Sequence, residues 1–244
     1  MLNIALPIIT VGAIILIWVV AAAAANNSFV LPTVGETISA AFELWARGEF
    51  YRAFFTTLLR SLIAFAISFV LAFGAALLSY KIKLASKALQ PLIVIIRVLP
   101  TVAVVLLLVL WSTSRVAAVI VTMLVIFPTL FENIFAALNG VDKELVEMCA
   151  VFNVDKKTTV KKVILPMVAP EFIAAVGAGI TLSLKLMVAA EVLAHTPRSM
   201  GYMLNTAKEY FEIPEMMALV LITVVAGLII GLTFKFLSEK ARKP

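Results

Sequence analysis

The chain has 244 residues, of which 63% are hydrophobic and 14% are charged, and its formal net charge is +6. Soluble domains are nearer one half apolar and one quarter charged, so this composition excludes an ordinary soluble protein. One cysteine and one histidine exclude an internal disulfide and a Cys/His zinc site. A positive balance in so apolar a chain is typical of lysines on cytoplasmic loops rather than of a nucleic-acid-binding surface.

Six apolar stretches are long enough to cross a bilayer as helices, which takes ~20 residues each. They are residues 4–25, 57–80, 91–111, 115–137, 171–193 and 216–237. None alternates as a membrane β-strand does, so the fold class predicted is an all-α membrane protein in one domain, residues 1–244. The first stretch has no basic segment before it, and we interpret it as a retained span, not a cleaved signal peptide.

The segment after the first span, PTVGETISAAFELWARGEF, predicts a helix outside the hydrocarbon. Thr33 and Glu36 have the spacing of a capping box. Ile38, Phe42 and Trp45 follow at helical intervals. This pattern indicates a helix at the outer interface of the membrane.

Charges and prolines within the spans carry further predictions. Pro91, Pro100 and Pro128 are expected to kink their helices. Arg60 and Arg97 lie at or near the ends of spans, where arginine reaches the headgroups or ties down a loop.

The distribution of lysine and arginine predicts the orientation. With the N-terminus inside, the cytoplasmic segments hold twelve of these residues and the outer segments five. Positive residues favour the inside, so both termini and the loop 138–170 are predicted to be cytoplasmic.

The loop 138–170 predicts two short helices joined by an elbow. Asp142 is placed to cap the first, and Asn153 suits the left-handed residue that ends it. Asp155 is placed to cap a second, basic helix, which Pro166 and Pro170 limit. The apolar residues of the first helix recur at i, i+3, i+4 and i+7: Leu145, Met148, Cys149 and Phe152. The periodicity leaves two destinations open for this stripe, namely its own bundle or a groove on a partner.

Two charges lie within the fifth span. Lys185 and Glu191 are six residues apart and therefore on different faces of the helix. A charge at such depth usually faces a cavity or a partner. Each is a candidate for the translocation path, where Lys185 would attract an anion; the alternative is a salt bridge to another helix or, for Lys185, snorkelling.

The charged loop resembles the EAA motif of ABC importer permeases. That pattern is Glu-Ala-Ala, three residues, Gly, nine residues, then Ile, any residue, Leu-Pro. Here Glu147, Leu165 and Pro166 keep the register, while Asn153 replaces Gly and Val163 replaces Ile. The two alanines of the pattern are Met148 and Cys149 in this chain.

Other segments carry the same resemblance along nearly the whole chain. FVLPTVGETI, TTLLRSLIAF and LQPLIVIIRVLPTVAVVLLLVLW are similar to the nitrate, sulfonate and taurine branch of these permeases, which also includes permeases for pyrimidine vitamin precursors and riboflavin. The resemblance implies a type I importer fold in a prokaryotic inner membrane. It also implies that the loop forms a coupling helix docking on a cytoplasmic ATPase. The residues it assigns to coupling are Glu147, Cys149, Ala150, Phe152, Asn153, Val163, Leu165 and Pro166.

The same resemblance sets the expected partners. The chain has no Gly-Lys-Ser/Thr sequence to cradle phosphates, so we expect no catalysis or cofactor binding here, with ATP and Mg bound by the ATPase subunits. A second permease copy, or else a paralogue, and an extracytoplasmic binding protein complete the importer. The expected solute is a small organic anion such as a sulfonate, or a vitamin precursor.

The residues give less support to two other functions. An ion-gradient transporter or channel usually shows paired inverted repeats, which the chain lacks, and would leave the charged loop without a task. A membrane-embedded enzyme would need a nucleophile–base or metal constellation, for which one cysteine and one histidine on opposite sides of the membrane are poorly suited.

Overall fold

In this computed structural model, residues 2–242 are described, with side chains given for residue 6 and from residue 9 onward. All regular structure in this part of the chain is helical. In chain order the helices are α1 Leu2–Ala25, α2 Val34–Ala46, α3 Gly48–Lys81, α4 Lys83–Val98, α5 Thr101–Trp111, α6 Ser114–Asn139, α7 Lys143–Val151, α8 Lys156–Thr159, α9 Leu165–Leu193, α10 Met200–Glu209 and α11 Ile213–Arg242. A π-helical turn, Val160–Ile164, joins α8 to α9.

Four of the predicted spans are continuous helices that are long and apolar enough to cross a membrane. They are Gly48–Lys81, Ser114–Asn139, Lys156–Leu193 and Ile213–Arg242. In α1 the apolar stretch Ile9–Ala25 is shorter than the ~20 residues of a typical span. The predicted first span, 4–25, begins among residues whose side chains lie outside the described ones.

The predicted span over 91–111 is interrupted at Pro100, where a kink is predicted. The structure divides it into α4 and α5, which meet at an angle of 90°. Leu99 and Pro100 are extended between them, with ψ of 126° and 107°. Pro100 has no N–H to donate and restricts the residue before it, so the helix ends there. Pro91 and Pro128, by contrast, lie inside α4 and α6.

The prediction that Pro166 and Pro170 limit the second loop helix was wrong. Helical backbone runs from Lys156 into α9, and both prolines lie within its first turns. The π turn precedes them, with the amide of Leu165 donating to the carbonyl of Val160. A proline ring clashes with the carbonyl four residues earlier, and a widened turn relieves that clash.

Helices α3, α6 and α9 form the centre of the bundle. A buried cluster joins α3, α4 and α6: Phe65, Ala72, Ala76, Ile93, Ile126, Leu130, Phe131 and Ile134. Gly179 of α9 packs directly against this cluster, so an added Cβ would lie 2.7 Å from both Leu130 and Phe65. On its other side, Gly177 lies against Phe234, which brings α11 onto α9.

Helix α2 begins with the predicted capping box. The Thr33 hydroxyl accepts from the Glu36 amide at 3.2 Å, and the Glu36 carboxylate accepts from the Thr33 amide at 2.8 Å. An ion pair of 2.8 Å between Arg47 and Glu215 ties the end of α2 to the start of α11. The apolar residues predicted to face the outer interface are exposed: Ile38, Phe42 and Trp45.

Candidate translocation path and coupling loop

The first loop helix, α7, has the caps that the sequence predicts. The Asp142 carboxylate accepts from the Glu144 amide at 2.9 Å. At the other end, Asn153 has φ 52°, the predicted left-handed residue. The Val154 amide donates to the Cys149 carbonyl and the Asn153 amide to the Ala150 carbonyl, at 2.9 and 3.1 Å. These two hydrogen bonds form a Schellman motif. Asn153 thus takes the left-handed position that glycine usually occupies at the end of a helix.

The apolar stripe of α7 is not packed on the bundle. Phe152 is 73% exposed, Met148 49% and Leu145 38%. No residue of α7 is buried. Of the two destinations that the periodicity left open, the chain's own core is thus excluded for this helix within the described residues. The stripe is available to a partner.

The second part of the loop keeps the remaining predicted coupling residues at the surface. Asp155 caps α8, accepting from the Thr158 amide at 2.9 Å, and hydrogen bonds from Thr158 hold the pKa of this carboxyl below its ordinary value. Leu165 is 59% exposed, and Val163 is half-buried. The other predicted coupling residues are exposed, with Cys149 half-exposed: Glu147, Cys149, Ala150 and Pro166.

A trough of three linked cavities follows α9 from end to end. A cavity of about 460 Å³ lies between α6 and α9 near Met167, and a second of about 640 Å³ lies between α9 and α11. They share Ala174 and Ala178. A third, of about 900 Å³, continues to Leu193. The trough spans ~40 Å along the helix, comparable with a bilayer including its headgroups.

Lys185 lies where the second and third cavities join. The two cavities share four residues: Thr181, Lys185, Gly231 and Lys235. Lys185 is exposed in the single chain. Among the described residues neither lysine forms an ion pair within 4.0 Å. Of the two path candidates, Lys185 therefore lies in a cavity, as a charge at membrane depth is expected to do.

Glu191 has a different setting. Its side chain is 0% exposed and accepts from the Thr57 hydroxyl at 2.7 Å and from Arg60 at 2.9 Å. Thr57 in turn accepts from the Met200 amide at 2.9 Å. This network, which we call the Glu191 cluster, joins α3, α9 and α10. It corrects the expectation for Arg60, which binds a buried carboxylate instead of reaching for headgroups.

Arg97 is likewise paired within the chain. It forms an ion pair with Glu132 of α6, and both side chains are about half-exposed. The pair lies just before the break at Leu99, so it holds the end of α4 against α6. Such an exposed pair adds little stability.

Sequence reasoning missed three residues of these sites. Lys235 was counted with the cytoplasmic lysines, and Thr57 was not singled out. Gly227 and Gly231 have the four-residue spacing that allows two helices to pack closely. The structure uses both glycines inside the chain, where an added Cβ would lie 3.5 Å from Thr181 in each case. Lys235 would have been found only from the pairing of α9 with α11.

The family of the chain follows from comparison with known proteins. Residues 68–240 match the family described as binding-protein-dependent transport system inner membrane component. The chain belongs to this family. It is therefore a multi-pass membrane protein and the non-catalytic permease subunit of an ABC importer.

Relatives and solved structures agree with the family. The chain is 25% identical over 232 residues to the putative aliphatic sulfonates transport permease protein SsuC of Bacillus subtilis, covering 94% of this chain and 84% of the relative. It is 26% identical over 156 residues to the riboflavin transport system permease protein RibX of Chloroflexus aurantiacus, covering 62% and 58%.

Among solved structures, the fold is similar to a chain of the MetNI methionine ABC transporter in inward-facing conformations. The TM-score is 0.65 at 16% identity, over 79% of this chain and 96% of that one. A chain of an amino acid ABC transporter gives a TM-score of 0.62 at 18% identity, over 80% and 93%. At this identity the likeness establishes the fold, which is that of type I importer permeases.

Proposed function

We propose that α7 is the coupling helix of this permease and docks its apolar stripe into a cleft on a cytoplasmic ATPase subunit. The observation that carries the proposal is the exposed stripe, led by Phe152 at 73% exposure. The capped ends and the Asn153 elbow fix the helix before any partner binds. An exposed apolar surface of this kind is typical of a helix that inserts into a groove. The ATPase subunit supplies the site for ATP and Mg.

The solute crosses along the trough of α9. A second copy of the chain, or a paralogue, facing this trough would close it into a path between two subunits. An extracytoplasmic binding protein delivers the solute at the end that holds α2 and α10, with both termini and the coupling loop in the cytoplasm. Lys185 lies on this path, whereas Glu191 acts from beside it by holding α9 to α3. The solute is a small organic anion or a vitamin precursor.

The experiment that tests the coupling role compares two exposed apolar residues of the same loop. Phe152 lies on the stripe, and Val151, 77% exposed, is turned to another side of the helix. Phe152→Ser and Val151→Ser each replace an apolar side chain of similar fractional exposure with a small polar one, although the phenylalanine is the larger. Each variant is purified from membranes together with its ATPase and assayed for ATP hydrolysis in nanodiscs.

We expect Phe152→Ser to lose most of the bound ATPase, since a central aromatic anchor typically costs 2 kcal/mol or more when removed, about 30-fold in affinity. Val151→Ser should retain it. Equal losses in both variants would mean that the stripe is not the docking surface. An unaltered chain that brings down no ATPase under gentle conditions would reject the coupling role of the loop.

A further inference from the structure

The trough of α9 is lined by two lysines. Lys185 belongs to α9 and Lys235 to α11, and both line the second and the third cavity. Neither makes an ion pair within 4.0 Å among the described residues. Both side chains are exposed in the single chain. Two positive charges that line the same apolar cavities attract an anion to the space between them.

The register of α9 and α11 brings the two lysines toward each other. The helices run antiparallel, with Gly177 against Phe234 and the Ser238 hydroxyl donating to the Pro170 carbonyl at 2.8 Å. In this register Lys185 and Lys235 are ~14 Å apart along the axis. Side chains on a helix lean toward its N-terminus. In an antiparallel pair with this offset, the two lysine side chains therefore lean into the space between them.

The wall of the trough between the lysines is formed by small residues, one of them polar, which leaves space for a group of the solute. Thr181 lies at this level, and its hydroxyl donates to the Gly177 carbonyl at 3.0 Å. Gly231, which faces Thr181, contributes no side chain. Acidic groups lie toward the cytoplasmic end, where Glu239 is about one helical turn beyond Lys235 on α11. Glu239 lines the second cavity, and Glu171 lines the first and is paired with Arg242.

We propose that Lys185 and Lys235 form a two-lysine station that receives the acidic group of the solute midway along the trough. The inference rests on the proposed function and decides its open point in favour of an anion. A sulfonate, carboxylate or phosphate oxygen accepts from either ammonium group, and the apolar walls of the third cavity surround the rest of the molecule. A neutral solute gains nothing from the station. The same oxyanion chemistry is also presented by a lipid headgroup, and the test separates the two sources.

The test measures the charge preference of the trough with thiol reagents. Ala178 and Ala189 line the trough on either side of Lys185 and are exposed, so each is replaced by cysteine. The permease is purified with its ATPase in phosphatidylcholine nanodiscs. Rates are measured with sulfonatoethyl methanethiosulfonate, itself a sulfonate, and with trimethylammonioethyl methanethiosulfonate. Labelling of Cys149 in the parent chain is subtracted.

With both lysines present, we expect the anionic reagent to be favoured. Replacing both by glutamine (Lys185→Gln with Lys235→Gln) should lower the ratio of anionic to cationic rates about tenfold, because two nearby positive charges are removed. Arginine at both positions should preserve the ratio. Lys240→Gln is the matched control on α11, exposed and outside the cavities, and should leave the ratio unchanged.

Three results would contradict the proposal that the two lysines bind the solute. The first is the same ratio of anionic to cationic labelling rates with lysine and with glutamine. The second is that neither cysteine reacts, which would mean that the trough is covered. The third is that the preference for the anionic reagent disappears when phosphatidylglycerol is added, which would mean that lipid headgroups occupy the lysines. Hydrolysis of ATP by the same samples reports separately on the proposed function. If ATP hydrolysis is coupled to the permease but the labelling ratio does not change with glutamine, only the role of the two lysines is rejected. If no ATPase is bound, the ratio is measured on the permease by itself and still decides the charge preference.

Discussion

The Glu191 cluster provides a stability prediction that also decides between two roles for this residue. Glu191→Gln keeps the size of the side chain and retains an acceptor for Thr57, but it removes the negative charge beside Arg60. The Arg60 side chain is only 12% exposed, so its guanidinium would remain largely buried without a counter-charge. Removing one partner of a buried ion pair costs about 3–5 kcal/mol.

A loss of unfolding free energy of this size can be measured by thermal unfolding. For chains of this size 1 kcal/mol shifts the midpoint by ~2–4 °C, so Glu191→Gln should unfold roughly 10 °C below the unaltered protein in detergent. Arg60→Leu combined with Glu191→Leu removes both charges and should recover much of the loss, because an apolar pair of similar volume replaces the ion pair.

Two outcomes would refute this reasoning. One is a Glu191→Gln protein that unfolds at the unaltered temperature, and the other is a double variant no more stable than the single ones. If the single variant is stable but transport by the complete importer is lost, Glu191 acts on the solute or on the conformational change. The residue would then belong to the path after all.

Three further predictions concern other parts of the chain. Glu147→Lys should weaken copurification of the ATPase or uncouple its hydrolysis without changing the melting temperature, because Glu147 is exposed on α7; a lower melting temperature would indicate a structural role. Gly201→Ala should destabilise the protein strongly, since the added Cβ would lie 2.5 Å from Glu191. Gly74→Ala, with open space around it, should be neutral or stabilising by up to about 1 kcal/mol. Equal melting temperatures of the two variants would contradict this. Hydrogen bonds from Ser28 and Thr33 lower the pKa of Glu36 below its ordinary value. The capping box is therefore complete above the ordinary pKa and is lost as the pH falls through the lowered pKa. Protection of the first amides of α2 against exchange, relative to their intrinsic rates, should fall across that range, and constant protection would contradict this.

The local structure of the loop 138–170 was largely predictable from the sequence, because caps and the left-handed residue Asn153 depend on neighbours in the chain. Asp142 and Asp155 cap the helices that follow them, and Asn153 adopts the left-handed conformation that its position suggested. Each of these depends on a side chain and a backbone amide within a few residues. The capping box of α2 was predictable for the same reason.

The interruptions of the spans were harder to predict, because proline has more than one outcome. Pro100 breaks a helix completely, Pro128 lies inside one, and Pro166 follows a π turn. All three lack the same N–H group. The outcome depends on whether neighbouring helices and local adjustments satisfy the freed carbonyl, which sequence periodicity does not contain.

The sequence by itself determined the class of the protein, since only a lipid bilayer can surround apolar runs of this length, and it determined the caps of the loop helices. Only the tertiary structure decided what the charges in the spans do. Glu191 lies beside Arg60, 131 residues earlier, and Lys185 shares its cavities with Lys235, although the two helices that carry these lysines are separated in the chain by α10. The physical reason is that a charge within a membrane protein is satisfied by whatever group the packing of helices brings near. That packing is set by close contacts such as Gly177 with Phe234, which act between helices and leave no periodic trace in either one.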